Sequence, residues 1–88
     1  KHYKVEVENE WIRVIRAKYG PKEESTMHEH NPGVVVFLTD TKHQLINEDG
    51  STINSEFKAG HALWVDAITH KGINLEGKPM ELVFFELK

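Results

Sequence analysis

The sequence contains no cysteine. That excludes disulfides, thiolate metal ligands and cysteine nucleophiles together, and it removes any mark of redox compartment. Long hydrophobic runs are missing too. The longest, Val34–Leu38, falls far short of the roughly 20 residues a membrane-spanning helix needs. Lys and Arg are scattered and form no block. Nucleic acid and acidic membranes are therefore excluded as partners, because neither finds a basic patch here. No segment keeps a helical period between caps. No repeat, linker or low-complexity tract interrupts the chain.

What is present is a short, mixed sequence. It has 88 residues, a formal net charge of −3, 39% hydrophobic and 28% charged residues. This is the composition of one folded domain spanning 1–88. A chain of this size buries only about 60–65% of its extended surface, so a monomer is marginal and a second subunit or bound metal adds stability. No signal-peptide pattern is present, and the sequence opens on Lys1 rather than Met. The compartment is left open between cytoplasm and, after removal of a leader, periplasm.

The apolar pattern reads as strands separated by turns. Tyr3–Val7 alternates, as a half-buried strand does. Trp11–Ala17 alternates until Val14-Ile15, where a bulge is expected. Thr26–His30 forms a short strand before the turn Asn31-Pro32-Gly33. Val34–Leu38 reads as a strand buried on both faces. Asp49-Gly50 joins Gln44–Ile46 to Thr52–Phe57 in a hairpin. Leu63–Val65 and Met80–Leu87 complete the set. Short strands at close spacing predict an all-β sandwich or barrel. Phe37, Trp64, Phe84 and Phe85 are its expected core residues, and Met27 packs outside.

Three histidines carry the chemistry. In a strand His28 and His30 share a face, with Cα atoms about 6.5 Å apart. Two imidazoles so placed converge on one ion at about 2.0–2.1 Å. His70 follows a strand and turn, and an antiparallel barrel can return it beside the first pair. An H-x-H pair alone also serves as an ordinary polar strand face. His2 is expected at a frayed terminus and His61 at an exposed turn, with His43 facing either interior or surface.

Two motifs then align. Gly20 is followed by His28-Glu29-His30. Lys58-Ala59-Gly60 is followed by His70 and, four residues on, Asn74. In this the sequence resembles a small single-domain cupin over roughly residues 11–88. The resemblance implies an antiparallel jelly-roll barrel, the double-stranded β-helix. It implies a divalent transition metal (Fe, Mn, Ni, Cu or Zn) on His28, His30 and His70, with a homodimer padded by Tyr3–Val7. Two positions depart from the pattern. Lys58 replaces a proline in a turn, and Val34 stands where the family's glutamate ligand is expected. Glu24 has the right parity but lies about 13 Å up the strand, too far to substitute.

Three neutral donors leave the charge of the ion unneutralised, which favours an anionic or chelating small molecule. Some cupin dioxygenases use three histidines, whereas glutamate-dependent conversions such as that of oxalate are disfavoured here. A fourth ligand is left open, with His43 and Gln44 as candidates. Asp66 reads as an exposed turn residue rather than an orienting partner, and Asn74 as a side chain that holds a turn. Two functions remain. One is a metal-dependent, dioxygenase-like enzyme acting on a small carboxylate or diketone. The other is a non-catalytic metal or small-ligand binding module.

Overall fold

The computed structural model describes residues 2–88. The strands are β1 (Tyr3–Glu8), β2 (Ile12–Tyr19), β3 (His28–His30), β4 (Gly33–Phe37), β5 (Thr41–Asn47), β6 (Thr52–Phe57), β7 (Ala62–Val65), β8 (Ile68–Asn74) and β9 (Met80–Leu87). They form two antiparallel sheets. One has the order β1-β2-β9-β4-β7, the other β3-β8-β5-β6. Among the described residues there is no helix, so none is long and apolar enough to cross a membrane. The all-β jelly-roll expectation is met.

Strand parity decides what faces inward. From β2 the cavity receives Arg13, Ile15, Ala17 and Tyr19, and from β9 it receives Met80, Leu82, Phe84 and Glu86. Their antiparallel partners are Arg13↔Glu86, Ile15↔Phe84, Ala17↔Leu82 and Tyr19↔Met80. Ala17, Tyr19 and Met80 form the densest part of the core, with Leu82 against it. The core is thin because most of the inward surface encloses a cavity rather than meeting the opposite sheet.

Two side-chain devices hold the frame. Asn74 is fully buried. Its Nδ2 donates to the carbonyls of Gly20 (3.0 Å) and Lys78 (2.8 Å), and its Oδ1 accepts from the Glu76 amide (3.0 Å). It therefore ties the end of β8 to the turns before β9 and after β2, as the turn-holding reading expects. Gly33 serves a close approach. A Cβ there would run into the Phe85 carbonyl oxygen where β4 packs on β9. The Asp49-Gly50 hairpin also forms, with Gly50 at φ +89°.

Several local expectations are corrected. The bulge lies in β1, not β2: the register slips between Val5 and Val7, opposite a regular Ile15 and Val14. Consequently Tyr3 and Val5 face the cavity while Val7 pairs with the outward Val14. Val34–Leu38 is not buried on both faces, since Val34 and Leu38 are exposed. Trp64 is also outside, 53% exposed, with its indole N–H donating to Asp66 at 2.9 Å. His2 is not frayed, because its ring stacks on Tyr19 at 4.6 Å. The strand β8 had not been expected, and it carries His70.

The outward row Val7–Val14–Phe85–Val34–Trp64 crosses all strands of the larger sheet. Its neighbours Ile12, Leu87, Val36, Val83 and Ala62 are apolar as well. The substitution Asn74→Ala should lower unfolding free energy by on the order of 3 kcal/mol, since it removes three hydrogen bonds made by a fully buried side chain. Urea denaturation measures this, and a loss below about 1 kcal/mol contradicts it.

Candidate functional site

The short strand β3 is held to β8 by more than its own ladder. The Ser25 amide donates to the Gly72 carbonyl at 2.9 Å, and the Gly72 amide donates to Ser25 Oγ at 3.0 Å. Ser25 is buried. This clamp sets the register, which places His28 directly opposite His70 and His30 opposite Ile68. Strand parity does the rest: His28, His30 and His70 all line the cavity. The return of His70 beside His28 is thus a property of the β3–β8 pairing.

The rings form a triangle. Centroids are 4.9 Å apart for His28–His70 and for His30–His70, and 6.2 Å for His28–His30. Three imidazoles sharing one ion at 2.0–2.1 Å have centroids roughly 4.5–5.2 Å apart. Two sides fit and the third is long. Accordingly, no group of three donors among the described residues stands at coordinating spacing.

The nitrogen partners test the chemistry of the donor set. His28 Nδ1 lies 3.1 Å from the Thr26 carbonyl, and His30 Nδ1 lies 2.8 Å from the Asn31 carbonyl. A carbonyl only accepts, so each Nδ1 carries a ring proton, which leaves Nε2 as the nitrogen available to a metal. Backbone-anchored imidazoles of this kind are what metal ligands require. His70 Nδ1 is buried with no hydrogen-bond partner. Burial, then the neighbouring His28, His30 and His43, push its pKa down to about 4. The ring is neutral at pH 7, and it lines the cavity with one buried nitrogen unpartnered. The residues fit a divalent metal in chemistry, with about 1 Å of closure left to make.

Around the triangle lie groups that sequence reasoning missed. Tyr3 OH meets Tyr19 OH at 2.5 Å and His28 Nδ1 at 3.4 Å. Burial, and then this phenol pair, push the Tyr19 hydroxyl well above its usual range, so it stays protonated. Glu86 is 7% exposed. It accepts the Asn31 amide at 2.9 Å and faces Arg13 at 3.4 Å. The Asn31 carbonyl in turn accepts from His30 Nδ1, so Glu86 holds in place the residue whose carbonyl orients this histidine. The signal was available: Glu86 has the inward parity of Leu82 and Phe84 in the last strand.

Other candidates sort cleanly. His43 lines the cavity, and burial lowers its pKa. Gln44 bonds Asn54 at the opposite face of β5. Asp66 is exposed on Trp64, as its turn reading expects. Glu24 pairs with Lys71 at 3.2 Å, away from the triangle. His61 is exposed at its turn, stacked on Phe57. The ligand-glutamate position also moves by one residue. Val34 points outward, and it is Val35 that lines the cavity. Both are valines, so the wall supplies no carboxylate there.

Solved structures share this architecture. A cupin domain from Bordetella pertussis Tohama I superposes with a TM-score of 0.90 at 25% identity, over 98% of this chain and 91% of that one. The chain has the fold of a small cupin. An RmlC-like cupin from Methanocaldococcus jannaschii gives a TM-score of 0.75 at 15% identity, covering 97% of this cupin and 77% of that protein. The polyketide cyclase RemF from Streptomyces resistomycificus gives 0.72 at 12% identity, over 97% of this cupin and 63% of the cyclase. Neither a family model nor a curated protein matches the sequence.

The buried histidines make the metal-free cupin sensitive to mild acid. His70 titrates near 6.5 when unfolded but near 4 when folded, so below pH 6.5 the unfolded chain binds a proton the native one refuses. Stability is full above 6.5 and falls toward pH 4, and His43 acts in the same direction. Urea midpoints of chelator-treated protein should drop between pH 7 and pH 5. The drop should shrink in His70→Gln, and an equal drop in both contradicts the assignment.

Proposed function

We propose that His28, His30 and His70 hold a divalent transition metal and that this cupin binds a small anionic or chelating molecule there. The observation that carries the reading is the nitrogen pattern: two rings anchored through Nδ1 to carbonyls, and a third buried ring with an unpartnered nitrogen, all at one cavity. When bound, Fe, Mn, Ni, Cu or Zn supplies Lewis acidity, and the redox-active ones supply electron transfer as well. The chain's own contribution is to keep the donors neutral, to leave no carboxylate at Val35, and so to leave positive charge for the ligand. Tyr3 OH stands beside His28 as a hydrogen-bond donor to whatever occupies the mouth. An enzyme of dioxygenase type on a small carboxylate or diketone follows from this arrangement. The second reading is a non-catalytic binding module with the same site.

Tag-free protein should take up about one equivalent of Zn or Fe per chain, read by elemental analysis. His28→Ala and His70→Ala should each weaken binding by more than about 100-fold, beyond the roughly 10–100-fold that losing an orienting partner costs. Wild-type binding in the double variant refutes the ligand set. Oxygen uptake by Fe(II)-loaded protein with diketones separates enzyme from binding module.

We also propose that the outer face of the larger sheet pairs with a second copy. Strands spaced 4.7–4.9 Å make this face about 24 Å wide, and its apolar rows run about 20 Å along the strands. With side-chain relief, two such faces reach the roughly 1,000 Å² total of a specific interface. Of the N-terminal strand only Val7 belongs to this row, so Tyr3 and Val5 are reassigned from interface to cavity. Light scattering should give a dimer at micromolar concentration and a monomer for Val34→Lys. A monomeric wild type contradicts the pairing.

A further inference from the structure

The cavity, about 420 Å³ in volume, has two polar ends and an apolar middle. One end is the histidine triangle on β3 and β8. The middle is walled by Ile15, Val35, Leu45, Leu63, Leu82 and Phe84. The far end is His43 on β5, with Ser55 opposite it on β6. His70 pairs with Asn47, and His43 lies four residues from Asn47, about 13 Å along the strand.

His43 is the unexplained group. It is only 8% exposed, and it packs beside Phe37 and Phe57 at ring distances of 5.9 and 5.7 Å. Phe37 and Phe57 themselves stack at 4.5 Å, 13° from parallel. No hydrogen bond to its ring is formed, although it lies near enough to His70 to weigh on that ring's charge. A neutral imidazole has one donor and one acceptor. No protein group bonds either one in His43, and neither is sealed from the cavity that His43 lines, so both are open to a ligand. The position is too far from the triangle for His43 to share an ion with it.

We infer that the cavity accommodates a ligand with a chelating head at the histidine triangle and an aromatic body whose polar substituent bonds His43. The aliphatic belt, with Phe84 at one end and the Phe37–Phe57 pair at the other, gives a flat ring apolar surface to bury against. The volume suits a molecule of one or two rings, within the usual range of small-ligand sites. A small dicarboxylate or an alkyl diketone leaves both the apolar belt and His43 unused. The head-group half of this inference rests on the metal centre proposed above, whereas the His43 half does not.

Three probes separate the parts: acetylacetone, benzoylacetone, and benzoylacetones hydroxylated at the meta or para position of the ring. Calorimetry on Zn-loaded protein, which is redox-inert, should rank them in rising affinity. The phenyl group should contribute roughly 100-fold through apolar burial. One of the hydroxyl isomers should add roughly tenfold more through a hydrogen bond to His43. His43→Phe should keep zinc stoichiometry and benzoylacetone affinity but lose the hydroxyl preference, and His43→Gln should restore part of it. Circular dichroism confirms that both variants fold. Equal affinity for phenyl and both hydroxyphenyl probes overturns the inference, as does a preference that survives in His43→Phe. If the protein takes up no zinc, the metal-centre reading fails. The same titrations on metal-free protein then decide the His43 half: a preference that vanishes in His43→Phe supports it, and no preference overturns it.

Discussion

The pairing of β3 with β8 is the interaction on which the site depends. β3 has only three residues, too few to hold a register by ladder bonds alone. The Ser25–Gly72 clamp on one side and the Glu86–Asn31 bond on the other confine it. With the register fixed, His28 meets His70 and strand parity brings His30 in beside them. A slip of one residue would turn both β3 histidines outward and leave His70 alone against an apolar wall. The triangle is therefore a consequence of backbone pairing that side-chain hydrogen bonds enforce.

Much of this was legible in the sequence. Alternation located β1, the Asp49-Gly50 hairpin signal located β6, and turn signals bounded β9, while the i, i+2 spacing of His28 and His30 named their shared face. Asn74 was recognised as a turn-holding residue. What was not legible has physical reasons. β8 hides because Thr69-His70-Lys71-Gly72 lacks the apolar alternation of its neighbours, its inward positions being given to a histidine and a glycine. Trp64 and the valine run were assigned to the interior because composition cannot tell a core face from an outer apolar face. The roles of Glu86 and Tyr3 depend on partners far along the chain, across different strands. No local window contains both members of such a pair.

The cavity shows the cost structure of a binding protein rather than of a filled barrel. Buried histidines held neutral, a protonated Tyr19 and apolar walls place proton-sensitive groups where water is scarce. Each is tolerable alone. Together they keep the metal-free fold less stable than its strand content would allow, and they keep the donor atoms unprotonated and ready. Valine at position 35 belongs to the same balance, since a carboxylate there would offset the charge of the ion proposed for the triangle.

The irregularity in β1 has a wider meaning. A regular strand commits alternate residues to one face from end to end. The extra residue between Val5 and Val7 reverses that commitment midway, so one short segment serves two clients. Its first half, with Tyr3, furnishes the cavity mouth, and its second half, with Val7, joins the outer apolar row. Insertions or deletions at Glu6 would therefore be expected to exchange the tasks of the flanking residues rather than merely loosen an edge. The reading frame of side chains along this strand, and not only their identity, links the cavity to the opposite surface of the sheet.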